Sequence, residues 1–211
     1  HEDAETHSLT VTVTDGSGLS ATATLTIYVN DVNEAPTLSG DNLSVDENSS
    51  DGTVVGTVTA ADVDDGDVLD FAIDGGPFTI DADGAIRVAG TLDHEVAPSH
   101  SVTVTVTDSG GLTDTTAFSI AVNDVNEQPA LSNQSFRVNE NATTGSVLGA
   151  VTGSDVDDGD SLSYAISGSA FAIDAVTGEI TVAGELDYGA VKTYTLSVTV
   201  TDVGRLADTA A

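Results

Sequence analysis

Val102, Val104 and Val106 alternate with Thr103, Thr105 and Thr107. A period of two turns one set of side chains into a core and the other into water, which predicts a half-buried strand. The same rhythm recurs on both sides. Leu43 and Val45 mark one strand, Val55 and Val58 a second, and Leu69, Phe71 and Ile73 a third. Phe78 with Ile80 and Ile86 with Val88 flank Asp83-Gly84, a pair that favours the tight turn of a hairpin. Phe118, Ile120 and Val122 close the block, and no helix of ordinary length fits between them. About seven short strands in roughly 100 residues predict an all-β fold, an immunoglobulin-like Greek-key β-sandwich.

The block is repeated. Pro129 lies 93 residues after Pro36, as Asp108 does after Asp15, Glu140 after Glu47 and Asp155 after Asp62 (129 − 36 = 93). Phe171 answers Phe78 in the same frame, after which one extra residue makes the offset 94. The chain therefore reads as a tandem array. Residues 1–36 are the C-terminal part of one unit, 37–129 a complete unit, and 130–211 a unit lacking its last strand. A further expectation is that the strand pair Leu9 to Val13 and Leu25 to Val29 either packs against the open third unit of another copy or stays mobile, because each leaves uncovered edges.

Between units lie two near-identical linkers, Asp31-Val32-Asn33-Glu34-Ala35-Pro36 and Asp124-Val125-Asn126-Glu127-Gln128-Pro129. A linker meant only to flex is rich in Gly and Ser, whereas these offer carboxylate and amide oxygens on a segment stiffened by proline. Oxygen ligands in a short span suit a hard cation, calcium above all. Composition sharpens this. There are 35 acidic against 4 basic side chains in 211 residues, a formal net charge of −31, which repels nucleic acid and anionic lipid and attracts cations. Cysteine is absent, so disulfides, thiolate metal sites and thiol nucleophiles are excluded. No apolar run approaches the roughly 20 residues of a membrane helix, so no membrane insertion is expected, and any export or anchoring signal is expected outside these residues.

Five motifs carry a resemblance: Val45-Asp46-Glu47-Asn48, Asp62-Val63-Asp64-Asp65-Gly66-Asp67, Leu92-Asp93-His94-Glu95, Val106-Thr107-Asp108 and the second linker. In that order the chain resembles cadherin-type repeats of large bacterial surface and adhesion proteins. The resemblance implies calcium ions, up to three, between consecutive repeats, held by acids of the preceding repeat, the linker and the following repeat. Around the second linker it implies Glu47, Asp93 and Glu95, then Asp124, Asn126 and Glu127, then Asp155, Asp157, Asp160 and Asp202. Around the first it implies Glu2, Asp31, Asn33 and Glu34, then Asp62, Asp64, Asp67 and Asp108, a depleted set because acids of the preceding repeat are missing. The linker is one residue shorter than the animal pattern D-x-N-D-N-x-P. Nine carboxylates brought to one junction repel by about a kcal/mol or more per close pair even when solvated, and cations relieve this.

The function implied is a calcium-rigidified extracellular adhesion or spacer module at a cell surface. Its partners would be calcium, neighbouring repeats and other copies, homophilic or strand-swapped. The alternative is a calcium-dependent polysaccharide- or protein-binding module, but sugar sites on sandwiches want exposed aromatic platforms and only 4% of the chain is aromatic, with Tyr28, Tyr188 and Tyr194 as candidates. An EF-hand is rejected because its twelfth position, counted from Asp62 or Asp155, falls on Ile73 or Ile166 instead of Glu. His94 and His100 read as structural, and no nucleophile-base-acid set or phosphate loop is present, so no enzyme is expected. Asp41, Asp51, Asp70, Asp74, Asp114 and Asp208 lie outside the motifs and read as solvated surface.

Overall fold

A computed structural model describes residues 6–168 and 170–211, which divide into two units, one through Asn123 and one from Asp124. In the first, β1 (Thr6–Thr14) and β2 (Ser20–Tyr28) form an antiparallel ribbon. Asp15 shapes its turn by accepting the amides of Ser17 and Leu19, each at 2.9 Å. Every residue of the ribbon is exposed, Leu9, Val11, Leu25 and Ile27 included.

The rest of this unit is a sandwich. One sheet runs β4 (Leu43–Asp46), β11 (Thr113–Asn123), β10 (Ser99–Thr107), β7 (Asp70–Asp74), with β4 parallel to β11 and the other pairs antiparallel. The other runs β5 (Val54–Thr57), β9 (Ala85–Val88), β8 (Phe78–Ile80), and a small ladder joins β3 (Thr37–Ser39) to β6 (Thr59–Ala61). Alternation decides the faces: Val102, Val104 and Val106 are fully enclosed while Thr103 is exposed. The inner face also carries Leu43, Val45, Ile120 and Val122, opposed by Phe78, Ile86 and Val88. Burying a side chain of this kind is worth about 1.5–3 kcal/mol, so the inward stripe sets the register. Between Val45 and Val122 every expected strand is present. The structure adds β3, which one half-buried leucine, Leu38, could not announce by periodicity, and splits the second expected strand into β5 and β6 around buried Val58.

The second unit repeats the plan in part. Its sheets are β12 (Val147–Ala150), β15 (Glu179–Val182), β14 (Phe171–Ile173) and β13 (Ser163–Ile166), β16 (Val198–Thr201), β17 (Ala207–Ala210). Val151, Phe171, Ile180, Val182 and Val198 form its core. β10 has nine residues and its counterpart β16 four, and residues 136–139, equivalent to β4, form no strand. In the first unit the part of β10 that β16 lacks, Ser99 to Thr103, and β4 are both paired to the second half of β11. The second unit has a cleft of about 570 Å³ lined in part by Phe136, Leu148, Tyr194 and Leu196.

Two loop aspartates link the fold to pH. The Ala85 amide, with Arg87 beside it, holds the Asp81 carboxyl below its ordinary value of 3.8, and the amides of Thr177 and Val176 do the same for Asp174. A carboxyl whose pKa is depressed on folding stabilises the fold fully above its unfolded value and loses that contribution as pH falls through the folded one. Both units are therefore expected to lose stability below about pH 4. Urea midpoints between pH 5 and 2 check this: Asp81→Asn and Asp174→Asn should each flatten the decline, and an unchanged slope would remove these groups from the account.

Candidate metal centre

The sequence at 62–67 builds a tight loop after β6. Asp62 Oδ1 accepts the Asp64 amide at 3.1 Å, the Asp67 amide reaches the Asp64 carbonyl, and Gly66 adopts φ +93°, a left-handed conformation that a side chain would strain. The loop at 155–160 repeats it, with Asp155 Oδ1 accepting from Asp157 at 3.3 Å and Gly159 at φ +94°. Each loop turns two of its acids toward the aspartate that follows β10 or β16. One carboxylate oxygen each from Asp62, Asp67 and Asp108 lie within 4.8 Å of one another, and so do those of Asp155, Asp160 and Asp202. Asp65 and Asp158, in the same loops, point to solvent.

The linkers dock onto these clusters. Asn33 Nδ2 donates to Asp108 Oδ2 at 2.8 Å and the Glu34 amide to Asp64 Oδ2 at 2.9 Å. Asn126 Nδ2 donates to Asp202 Oδ2 at 2.8 Å and the Glu127 amide to Asp157 Oδ2 at 2.9 Å. A side chain at Gly110 or Gly204 would collide with Asn33 or Asn126, so the glycines make room for the linker amide. Asp108 and Asp202 are buried, and each also accepts the amide of the loop leucine four residues on, at 2.7 Å and 2.8 Å. Burial pushes the Asp108 carboxyl up, but Asn33 and the amides of Leu112, Gly111 and Gly110 outweigh it and hold the group ionised below the ordinary carboxylate range.

These hydrogen bonds leave a remainder. Asp62 Oδ2, Asp64 Oδ1 and Asp67 Oδ2 are buried with no donor, and so are Asp155 Oδ2, Asp157 Oδ1 and Asp160 Oδ2. A buried carboxylate oxygen without a partner is costly, and two of the three in each unit belong to the residues that cluster there, Asp62 with Asp67 and Asp155 with Asp160, which calls for a cation. The donors are all oxygen. Two oxygens held by one calcium at 2.3–2.6 Å lie up to about 5 Å apart, so both clusters fit that ion.

At the other end of the first unit's sheet, a second group of expected ligands meets where β11 ends. The Glu47 amide donates to the Asn123 carbonyl, and Glu47, itself buried, accepts the His94 amide at 2.7 Å. Asp93 Oδ1 accepts the Val96 amide at 2.9 Å, and Glu95 is exposed. His94 Nδ1 lies 2.7 Å from the Val122 carbonyl, and His100 packs edge-on against Phe78, which makes both histidines structural. Asp31 and Asp124 are exposed, and Glu2 lies outside the described residues. Among the tyrosines, Tyr194 packs against Phe171 and is no platform, while Tyr28 and Tyr188 are exposed, the latter under the Lys192 ammonium.

Two aspartates read as surface have a defined task instead. Asp114 Oδ2 accepts the Leu38 amide and Asp208 Oδ2 the Leu131 amide, both at 2.8 Å. The signal was available: the two are 94 residues apart, the offset that relates Asp108 to Asp202. Ser109, whose hydroxyl donates to Asp67 Oδ1, was likewise missed; its counterpart is Val203, so the second cluster has no such donor.

Comparison with known proteins shows the family. The cadherin domain profile matches residues 41–123 and 134–210. Protocadherin Fat 4 of Mus musculus is 35% identical over 207 residues, which cover 89% of this chain and 4% of that protein. Protein dachsous of Drosophila melanogaster is 30% identical over 237 residues, 97% of this chain and 7% of that protein. Among solved structures, mouse Protocadherin-24 EC1-3 superposes with a TM-score of 0.71 at 24% identity over 99% of this chain and 78% of that one. The Protocadherin gammaB7 EC3-6 cis-dimer gives 0.70 at 26% identity, over 99% and 59%. These relatives are animal proteins, and they lend no support to the bacterial origin expected from the residues.

Proposed function

We propose that this chain, which belongs to the cadherin domain family, is a run of calcium-binding extracellular repeats, divided as 1–36, 37–129 and 130–211, that serves as an adhesion or spacer module. Cadherin domains are calcium-dependent extracellular adhesion modules, and no helix among the described residues is long and apolar enough to cross a membrane. One observation carries the reading. The same three buried oxygens without a donor recur 93 residues apart, on Asp62, Asp64 and Asp67 and on Asp155, Asp157 and Asp160.

With calcium bound, these aspartates together with Asp108 or Asp202 would hold it, supported by Asn33 and Glu34 or by Asn126 and Glu127. On the family likeness we extend the ligand set to Asp31 and Asp124 in the linkers and to Glu47, Asp93 and Glu95. The ion would supply positive charge to the donorless oxygens of Asp62, Asp64 and Asp67 and of Asp155, Asp157 and Asp160. The bacterial surface setting rests on the resemblance of the five motifs alone.

Calcium is expected to raise thermal stability. At about 1 mM calcium and a dissociation constant of about 0.1 mM, each ion adds about 1.4 kcal/mol, or about 6–11 °C in a domain of this size. Thermal unfolding with calcium and with chelator checks this, with magnesium, which demands tighter octahedral geometry, giving the smaller shift. Equal melting temperatures in calcium and chelator would defeat the reading.

Self-association belongs to the same proposal. The exposed apolar stripe of the β1–β2 ribbon has a counterpart in the Phe136, Leu148, Tyr194 and Leu196 side chains that line part of the second unit's cleft, since β2 is the sequence counterpart of β11 (113 − 20 = 93). Light scattering on the 211-residue chain is expected to find species above 21.2 kDa that dissociate in Ile27→Asp. A monomer at all concentrations would remove this element.

A further inference from the structure

The Leu38 and Leu131 amides are each held by a carboxylate from a neighbouring strand, in a place where a sheet would ordinarily supply a carbonyl. β3 follows the linker directly, and Thr37 pairs with Ala61, the residue before Asp62. Its other edge would be open at Leu38, and there Asp114 Oδ2 takes the amide at 2.8 Å. Asp114 itself stands opposite Val106, two residues before Asp108. The end of the linker is thus clamped between the two segments that carry the cluster's acids, one by a backbone ladder and one by a single carboxylate. The second unit repeats the arrangement with a single bridge in place of the ladder. Ala130 bridges Ser154, the residue before Asp155, and Asp208, which takes the Leu131 amide at 2.8 Å, stands opposite Val200, two residues before Asp202.

We infer that Asp114 and Asp208 are positioning residues for the calcium sites: neither is a ligand, and each fixes where the linker sits on its cluster. The mechanism is short-range. Leu38 lies four positions after Glu34 and Leu131 four after Glu127, and both linkers contain a proline that limits how far slack can travel. Pinning the leucine amide therefore holds Asn33 on Asp108 and the Glu34 amide on Asp64, and likewise Asn126 on Asp202 and the Glu127 amide on Asp157. A hydrogen bond to an ionised acceptor is about twice as strong as a neutral one, which suits a pin made of one contact. This inference rests on the calcium reading above.

Asp208→Ala and Asp208→Asn test it on the full chain. The asparagine keeps an oxygen able to accept the Leu131 amide and discards only the charge. Calorimetric titration with calcium should show affinity at the second cluster falling about 10–100-fold in Asp208→Ala, the usual scale for groups that orient ligands, and recovering most of that in Asp208→Asn. Nuclear magnetic resonance on the calcium-free protein supplies the second readout: exchange of the Asn126 side-chain amide should quicken in Asp208→Ala and not in Asp208→Asn. Unchanged calcium affinity and unchanged Asn126 exchange in Asp208→Ala would overturn the inference, as would Asp208→Asn failing as badly as the alanine. A parent chain that takes up no calcium would sink the calcium reading by itself, and the Asn126 exchange would then decide the positioning role.

Discussion

Replacing Asp202 with alanine is expected to abolish calcium binding at the second cluster at millimolar concentrations and to destabilise the second unit even in chelator. Asp202 is buried and joins Asp155 and Asp160 within 4.8 Å, while accepting from Asn126 and Leu206 at 2.8 Å each. Losing a direct ligand costs at least the 10–100-fold typical of a group behind the ligands, and sites starting at roughly 10⁻⁴ to 10⁻³ M have little to spare. The orphaned donors cost a further 1–3 kcal/mol or so, about 4–8 °C of melting temperature per kcal/mol in a unit this small. Calorimetry and thermal unfolding in chelator check the two parts separately. Asp158→Ala is the control, since Asp158 sits in the same loop facing water, and surface changes of that kind stay within about 0.5 kcal/mol. Equal losses from both substitutions would mean that net charge matters here and the cluster does not.

Gly84→Ala and Gly178→Ala are expected to destabilise their units by about 2–5 kcal/mol, enough to unfold a marginal domain. Both glycines have positive φ, +76° and +68°, and a methyl group at either would strike a backbone carbonyl, that of Val58 or of Val151. The strained backbone accounts for about 1–3 kcal/mol and the collision for about as much again, because the carbonyl belongs to a residue held in place: the Val58 and Val151 amides donate to the Gly84 and Gly178 carbonyls at 2.9 Å. Gly111→Ala separates the two effects, since Gly111 has φ +92° and open space around it. Urea unfolding should place Gly111→Ala well above the other two in stability. Three equal losses would show that conformation alone is responsible and that the carbonyl gives way.

The sandwich was legible because its longest strands obey a strict period of two. Val102, Val104 and Val106 could only be inward-facing, and the 93-residue offset extended that certainty to a second copy. β3 was not legible, because a strand of three residues with one half-buried leucine has no period. The clusters were legible through residue type and repetition. What the motifs could not give was which oxygen does what: Asn33 and Asn126, expected as ligands, turn their amide nitrogens to Asp108 and Asp202. Asp114 and Asp208 were misread because an aspartate beside threonines on a strand looks like solvated surface, and nothing local reveals a leucine amide 76 or 77 positions away that needs an acceptor.

The most direct measurement of the central claim is a calorimetric calcium titration of the 211-residue chain beside the double variant Asp155→Ala and Asp157→Ala. Saturable binding of several ions at roughly 10⁻⁴ to 10⁻³ M, with the part belonging to the second cluster lost in the variant, is the predicted result. Absence of saturable binding, or a titration that the double substitution leaves untouched, would contradict it and leave the six buried oxygens without their cation.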